Sequence, residues 1–212
     1  MSKIKFRIAK PSDARQIANC HWHVRDRYSQ GIFLSLGEGF LRAYYRILLN
    51  DPWEVIVCAE KDEGKIVGFS SATLDAAYQA NNLKRHKISL GIAALGAIIK
   101  NPSLLKGVWL RYKSLNNSKD APEFVHTEGA RGEYWCWLKE EEDNLLSVDM
   151  DNAKGDVMYA LGCREIFFEV DKLNKQVYKY HTMIRKAEPI EEIVLPDGRV
   201  RVLLKRELKS SK

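Results

Sequence analysis

Several features of common protein classes are missing from this 212-residue sequence. Its four cysteines are far apart and form no CxxC pair, which argues against a disulfide framework or a zinc site of that spacing. The longest apolar run, Ile88 to Ile99, is too short to span a bilayer. The N-terminal segment carries no apolar core typical of a signal peptide. We therefore expect a cytoplasmic globular protein with reduced thiols and no bound metal.

Acidic residues are also missing from one long interval. No aspartate or glutamate occurs between Asp75 and Asp120, although the interval contains Lys84, Arg85, Lys87, Lys100, Lys106, Arg111, Lys113 and Lys119. A segment of one charge sign indicates an anionic partner, or else a basic helical hairpin that is simply solvated. Aliphatic rather than aromatic residues interleave with these cations, so we expect no nucleic-acid partner. An anionic membrane surface is the alternative.

Hydrophobic periodicity predicts an α+β chain in the order β-α-α-β-β-(αα)-β-α-β-α-β-β. Alternation in "KIKFRIA" predicts the first strand, and "WEVIVCAE" with "IVGFSSATLD" predicts a hairpin. A helix over about Leu145 to Leu161 should end at Gly162, which suits the residue after a helix C-terminus. The turn at "LPDG" predicts a closing hairpin.

The order and several local sequences resemble the GNAT acyltransferase superfamily. The resemblance runs from "IKFRIAKPSDARQIANCH" through "VIVCAEKDEGKIVGFSSATLD" to "LGCREIFFEVDKLNKQVYKYH". In the last segment Asn174 takes the family's Asn position, Val177 the small apolar one, Tyr180 the aromatic one and His181 that of the family's Tyr. The resemblance implies a mixed, mostly antiparallel sheet flanked by helices. It also implies one domain over residues 1–212, with a helical insertion at about 80–118 after the third strand.

In that superfamily the fourth and fifth strands splay apart, and the pantetheine of acetyl-CoA or another acyl-CoA lies in the gap. By resemblance these strands are Glu133–Lys139 and Arg164–Asp171. The residues implied to bind the cofactor are Trp137, Leu138, Lys139, Asn144, Ser147 and Asn174.

The implied pyrophosphate loop departs from the family pattern. It falls on Glu142 to Ser147, where Leu145 and Ser147 replace the family's glycines, and no glycine lies between Glu133 and Asn152. Glycine lets a backbone approach phosphate closely, and Glu140 to Asp143 have the wrong charge for an anion. Three hypotheses follow: CoA binds weakly, a different donor binds, or cofactor binding is lost.

The candidate catalytic residues are His181 and Glu133. By resemblance His181 would protonate the departing thiolate, although it could also only fill its slot. Glu133 is the preferred base for the acceptor amine and Glu128 the second candidate, although either could be an ordinary surface glutamate. Asn174 could contact the cofactor or simply cap a helix.

The end of the first helix lies near the acceptor pocket in the GNAT layout. His23, Arg25 and Tyr28 are therefore the predicted substrate-binding residues. The "HWH" motif, His21 to His23, is not predicted to bind a metal, because residues i and i+2 of a helix point to different faces.

These observations predict an N-acyltransferase that moves an acetyl or related acyl group from CoA to the amine of a small molecule. The alternative is a GNAT-fold binding or regulatory module that has lost acyl-CoA. A homodimer is a further option. The basic hairpin, Asn82 to Leu115, is predicted to pack its Ile/Leu/Ala face on the domain or a second subunit, with its lysines at the mouth of the acceptor pocket.

Overall fold

A computed structural model describes residues 4–25, 32–106, 109, 126–138, 140–141, 144–195 and 199–209. The strands are β1 (Lys5–Ile8), β2 (Glu54–Glu60), β3 (Ile66–Thr73), β4 (Arg131–Trp137), β5 (Glu165–Asp171), β6 (Glu188–Val194) and β7 (Val200–Glu207). The helices are α1 (Ala14–His23), α2 (Ile32–Ser35), α3 (Gly37–Leu48), α4 (Ala76–Arg85), α5 (Lys87–Lys100), α6 (Asn144–Ala160) and α7 (Lys175–Lys179). Short 3-10 turns occupy Pro11–Asp13 and Asp62–Gly64, and a π-helical turn over Tyr180–Ile184 continues α7.

The seven strands form one sheet in the order β1-β2-β3-β4-β5-β7-β6. Every neighbouring pair is antiparallel except β4 and β5, which run parallel. Within the described residues this parallel pair is registered only at Arg131 and Phe167, and beyond that point the two strands separate. The predicted mixed sheet and the predicted splay are therefore confirmed. The predicted bounds of the fourth strand are two residues too late, because the strand begins at Arg131 and ends at Trp137.

The two faces of the sheet carry different helices. The Phe69 ring on β3 lies against His21 of α1 and Tyr45 of α3, with ring centroids 5.9 and 5.4 Å apart. The next residue, Ser70, donates a hydrogen bond to Asp151 of α6. Successive residues of a strand point to opposite faces, so α1 and α3 cover one face and α6 the other. We call these the α1 face and the α6 face.

Large apolar and aromatic side chains fill the space between the sheet and its helices. The most deeply buried of them include Tyr44, Tyr45, Phe69, Ile17, Leu41, Leu48, Ile56, Met150, Met158, Ile166 and Leu204. The helix α3 contributes its buried face at the spacing expected of an amphipathic helix, through Phe40, Leu41, Tyr44 and Leu48. This packing fixes the helices that carry site residues.

The helical insertion packs partly on this core. The helix α5 contacts α3, and its partly buried Leu90, Ala93, Ala97 and Ile98 lie against the main core beside the buried Ala94. The predicted packing of an Ile/Leu/Ala face on the domain is therefore confirmed for α5. Residues 107–108 and 110–125 lie outside the described part of the chain.

Two local predictions from sequence are also confirmed. Helix α6 is followed by Gly162 at φ 97°, and the Cys163 N–H donates back to the Met158 carbonyl, as in a glycine-terminated helix. Helix α7 begins after Asn174, whose side chain accepts a hydrogen bond from the Val177 N–H at 3.3 Å. These two ends set the positions of the elements that flank the gap between β4 and β5.

A close contact at Gly68 allows a test of this packing. A Cβ added there would lie 2.4 Å from Cε3 of Trp137, whereas a Cβ at Gly39 in α3 would meet nothing within 4 Å. We expect Gly68→Ala to lower the free energy of unfolding by roughly 1–3 kcal/mol, because the buried indole ring must move. Urea denaturation of both variants and the parent measures the effect.

The control Gly39→Ala should leave stability equal or raise it by up to about 1 kcal/mol, because alanine favours helix. Equal stability of Gly68→Ala and the parent would contradict the contact between Gly68 and Trp137.

Candidate functional site

A cavity of about 590 Å³ occupies the gap between β4 and β5. Both strands contribute lining residues, and so do α1 on one face of the sheet and α6 on the other. The lining includes His21, Phe33, Leu34, Gly132, Glu133, Tyr134, Trp135, Cys136, Asp151, Lys154, Ile166, Phe168, Glu169, Val170, Asp171, Leu173, Asn174, Val177, His181, Arg199, Arg201 and Arg206. The cavity therefore connects the two faces through the opening in the sheet.

A β-bulge in β4 shapes the α1 face of this cavity. Ser70 pairs with Trp135 and Ala72 with Gly132, so Glu133 and Tyr134 together oppose the single residue between them on β3. The Tyr134 N–H donates to the hydroxyl of that residue, Ser71, at 3.1 Å. The extra residue lets Glu133 and Tyr134 lie side by side instead of on opposite faces.

Glu133 is a buried carboxylate with one oxygen in a salt bridge and the other without a hydrogen-bond partner among the described residues. Its Oε1 accepts a hydrogen bond from Nη2 of Arg131 at 2.7 Å, and its side chain has no exposed surface. Its Oε2 is buried without a hydrogen-bond partner among the described residues. A buried carboxylate oxygen without a partner is costly, and Glu133 belongs to the cavity lining, so this oxygen is a candidate acceptor for a proton of a bound ligand.

A second carboxyl group, that of Glu54, is linked to the Arg131–Glu133 pair through the side chain of Gln79. Glu54 accepts a hydrogen bond from Gln79 at 2.9 Å, and the same Gln79 side chain accepts one from Arg131. Burial and then the charge of Glu133 raise the pKa of Glu54 well above its usual range. The two carboxyl groups therefore disfavour each other's charge, and of the two it is Glu133 that pairs directly with Arg131.

An ion cluster closes the cavity on the α6 face. Asp151 accepts hydrogen bonds from Ser70 at 2.8 Å and Lys154 at 2.7 Å, and its other oxygen lies 3.5 Å from Nη1 of Arg206. Burial alone would raise the pKa of Asp151, but the charges of Lys154 and Arg206 hold it well below its usual range. The cluster contains two cations and one carboxylate, so it carries an excess of positive charge.

His181 lies in the same part of the cavity. Its ring centroid is 4.5 Å from that of Phe168 and 5.8 Å from that of Trp135, and its Nδ1 has no hydrogen-bond partner among the described residues. Burial lowers the pKa of His181 to about 4. The charge of Asp151 raises this pKa, whereas the charges of Arg206 and Lys154 lower it. The ring is therefore neutral at pH 7. A neutral imidazole donates one N–H bond, and the imidazolium needed for proton delivery is scarce.

The segment in place of the pyrophosphate loop is fastened to β4 by two indoles. Trp135 Nε1 donates to the Ser147 carbonyl at 3.0 Å, and Trp137 Nε1 donates to the Glu141 carbonyl at 3.3 Å. The Glu141 carboxylate pairs with Lys61 at 2.5 Å, so one of the loop acids is neutralised by a partner. Leu145 is 76% exposed at the first turn of α6. Residues 142–143 lie outside the described chain.

The predicted cofactor residues occupy different environments. Asn174 lines the cavity while also capping α7. Trp137 and Leu138 belong to the main core and do not line the cavity. Ser147 is buried under the first turn of α6. Lys139 and the Asn144 side chain lie outside the described part of the chain, so their roles stay predictions.

Two of the predicted substrate residues, His23 and Arg25, are not among the residues that line the cavity. His23 is exposed, with Nδ1 2.8 Å from the Asn19 carbonyl oxygen, and the Arg25 guanidinium stacks over the Trp22 ring at 4.5 Å. Tyr28 lies outside the described residues. The histidine of α1 that does line the cavity is His21, which was not among the predicted substrate-binding residues.

His21 is held by aromatic neighbours. Its Nδ1 is 2.7 Å from the Tyr45 hydroxyl, its ring centroid is 4.5 Å from that of Tyr134, and burial lowers its pKa to about 3. The spacing of Ile17, His21 and Val24 on one helical face was the available signal. His21 and His23 thus point to different surroundings, one into the core and one into solvent.

The basic insertion does not contribute to the cavity. None of its described residues lines the cavity, because α5 packs on α3, which in turn packs on α1. The prediction that the lysines of the insertion border the acceptor pocket is therefore wrong for the described residues.

Comparisons with known proteins agree with the fold. No family model matches the sequence, and no curated protein matches it. A solved acetyltransferase of the GNAT family from Bacillus cereus is similar over 98% of this chain and 99% of its own, with 9% identity and a TM-score of 0.56. A variant of spermidine N-acetyltransferase from Vibrio cholerae is similar over 97% of this chain and 94% of its own, with 10% identity and a TM-score of 0.55. The chain therefore has the GNAT fold.

The buried histidines predict a loss of stability in acid. The folded-state pKa of His181 is about 4, below the usual value of about 6.5, so the unfolded chain binds more protons as the pH falls. Between about pH 6 and 4.5, His181 should cost about 1 kcal/mol of unfolding free energy per pH unit. We expect His181→Gln to flatten the pH dependence by that amount in urea titrations.

The matched substitution His23→Gln, at an exposed histidine, serves as the control. If the pH dependence of His181→Gln runs parallel to that of the parent, His181 is not held neutral by burial.

Proposed function

We propose that this chain is an acyltransferase of the GNAT type that moves an acyl group from CoA to the amine of a small molecule. We further propose that residues 1–212 act as one catalytic domain with a helical insertion. The observation that carries the proposal is the cavity through the sheet, with a buried carboxylate oxygen that has no partner among the described residues on one face and buried cations on the other.

The gap between β4 and β5 fits the arm of an acyl-CoA. Beyond Arg131 the edge of β4 faces the cavity instead of β5, and an extended pantetheine can join such an edge by backbone hydrogen bonds. The first turn of α6 lies next to this edge through the Trp135–Ser147 bond and presents a helix N-terminus to a diphosphate. Acyl-CoA, when bound there, supplies an activated thioester.

Glu133 is the residue we assign to deprotonation of the acceptor. An ammonium group must lose a proton before it can attack a thioester, and a positioned carboxylate can take that proton. The Oε2 of Glu133 has no hydrogen-bond partner among the described residues, while Arg131 fixes the other oxygen.

The cations of the α6 face are assigned to the departing thiolate. His181 is neutral and can donate a single N–H, which orients but does not protonate a sulfur anion. Lys154 and Arg206 exceed Asp151 by one positive charge and lie in the same cavity. Buried, preorganised charge of this kind stabilises an anion that forms during reaction.

The acceptor class we propose is a small amine. Three carboxylates line the α1 face of the cavity, and each is paired with an arginine: Glu133 with Arg131, Glu169 with Arg201 and Asp171 with Arg199. The charge of this wall is therefore balanced and does not by itself select the acceptor. One of the similar solved structures is named as a spermidine N-acetyltransferase, which supports a small amine as the acceptor class.

One observation favours a second function. The segment before α6 has no glycine, and Leu145 projects from the first turn where close backbone approach to phosphate would be needed. A GNAT-fold binding module without acyl-CoA would tolerate this segment.

The two functions are separated by titration calorimetry with acetyl-CoA, followed by thiol release in the presence of a panel of polyamines, amino sugars and amino acids. We expect saturable binding and thiol release with at least one amine. In Glu133→Gln, kcat/KM should fall by roughly 10²-fold or more because the base is lost, while the acetyl-CoA Kd stays within about twofold.

Glu128→Gln is the matched control, because Glu128 is exposed in the loop before β4. Its kinetics should equal those of the parent, and the Tm of both variants checks their folding. If acetyl-CoA gives no binding heat and no amine releases thiol, the acyltransferase proposal is wrong and the binding module is favoured.

A further inference from the structure

The outer face of α5 is apolar and open to solvent. Ile88, Ile92, Leu95 and Ile99 follow one another at spacings of four, three and four residues, which places them on a single stripe of the helix. They are 72, 69, 52 and 71% exposed. Their helix already packs its opposite face on the core through Ala94 and its neighbours, so the stripe is not the buried side of an ordinary surface helix.

Cations border this stripe. Lys87 and Lys100 are exposed and lie one residue outside Ile88 and Ile99, which turns them roughly 100° to either side of the stripe. Arg85 and Lys106 are also exposed near its ends. No acidic residue occurs between Asp75 and Asp120 to offset these charges.

We propose that α5 docks on an anionic lipid bilayer, lying in the plane of the interface with Ile88, Ile92, Leu95 and Ile99 toward the acyl chains. Lysines at the flanks of an apolar stripe can reach anionic headgroups while the stripe is buried in the boundary region. Among the described residues no helix is both long enough and apolar enough to cross a membrane, so the contact is peripheral.

Charge and apolarity together select this partner over the others. A nucleic acid would match the lysines but would leave four large aliphatic side chains in water. A second copy in a symmetric dimer would cover the aliphatic side chains but would bring two acid-free basic segments together. An anionic bilayer satisfies both features at once.

Two features beyond the stripe are consistent with this orientation. Leu105 and Trp109 continue the exposed apolar residues after α5, at 55 and 58% exposure, and tryptophan is enriched at membrane interfaces. The cavity is lined from α1, the strands and α6, with α3 between α1 and α5. Docking through α5 therefore leaves the cavity free.

The test is flotation of the full chain with vesicles of phosphatidylcholine containing about 30% phosphatidylglycerol, beside vesicles of phosphatidylcholine alone. We expect binding to the mixed vesicles that is about tenfold or more stronger than to the neutral ones and that weakens in about 0.5 M NaCl. Flotation measures vesicle binding and not acyl transfer, so its result tests the membrane proposal independently of the proposed function.

Two double variants locate the contact. Ile92→Gln with Leu95→Gln replaces half of the apolar stripe by glutamine, which favours helix. This double variant should weaken vesicle binding about tenfold or more. Its control is Ile190→Thr with Val194→Thr, at two exposed apolar positions of β6, which should bind as the parent does. Lys87→Gln with Lys100→Gln should weaken binding to mixed vesicles about tenfold.

The control for charge is Lys5→Gln with Lys65→Gln, two exposed lysines whose loss changes the net charge equally. Absence of flotation, equal binding to neutral and mixed vesicles, or unchanged binding of Ile92→Gln with Leu95→Gln would overturn the proposal. A dimer by light scattering that the same stripe variant converts to monomer would also overturn it and assign the stripe to a second copy.

Discussion

The buried carboxylate of Asp151 holds together two halves of a sheet that scarcely pair with each other. Backbone registration between β4 and β5 is confined to Arg131 and Phe167 among the described residues. Asp151 links the two halves of the sheet, because it accepts a hydrogen bond from Ser70 on β3 and lies 3.5 Å from Nη1 of Arg206 on β7. Burying these charges is expensive, and removing one partner would leave another uncompensated in the interior. The opening in the sheet is therefore stabilised by electrostatics where the hydrogen-bond ladder is interrupted.

The same cluster gives one side of the cavity an excess of positive charge. On the α6 face, Lys154 and Arg206 outnumber Asp151, and burial together with their charge disfavours protonation of His181. On the α1 face, one oxygen of Glu133 is held by Arg131 and the other has no hydrogen-bond partner among the described residues. A reaction that takes a proton from one reactant and leaves negative charge on another would be assisted at both ends without any proton-donating histidine. The neutral state of His181 is thus compatible with transfer chemistry, although it changes the role that its position in the sequence implied.

Short sequence patterns were sufficient to predict most of the fold, but they were insufficient to predict much of the candidate site. The order of helices and strands along the chain, the end of α6 at Gly162 and the Asn174 cap depend on short-range chemistry, and they could be predicted. The Glu133–Tyr134 bulge could not, because it arises from pairing with β3, a segment far away in sequence. The lining residue His21 was missed because the "HWH" motif places His21 and His23 on different faces of helix α1, and the motif itself does not show which face is buried. The surroundings of α5 depend on its packing against α3, which no local pattern encodes.

The segment before α6 shows how a fold can keep a geometry after losing the motif that usually marks it. Two indole N–H groups from β4 bind carbonyls of Glu141 and Ser147, so the start of α6 is positioned by the protein's own contacts and not by a glycine turn fitted to phosphate. Lys61 neutralises one of the acids in this segment. The helix end is therefore placed beside the opening in the sheet by contacts within the protein. If an acyl-CoA binds there as proposed, Leu145 in place of a glycine would weaken close backbone approach without removing the helix N-terminus itself. The missing glycines would then bear on the strength of donor binding, while the gap between β4 and β5 would set where the donor lies.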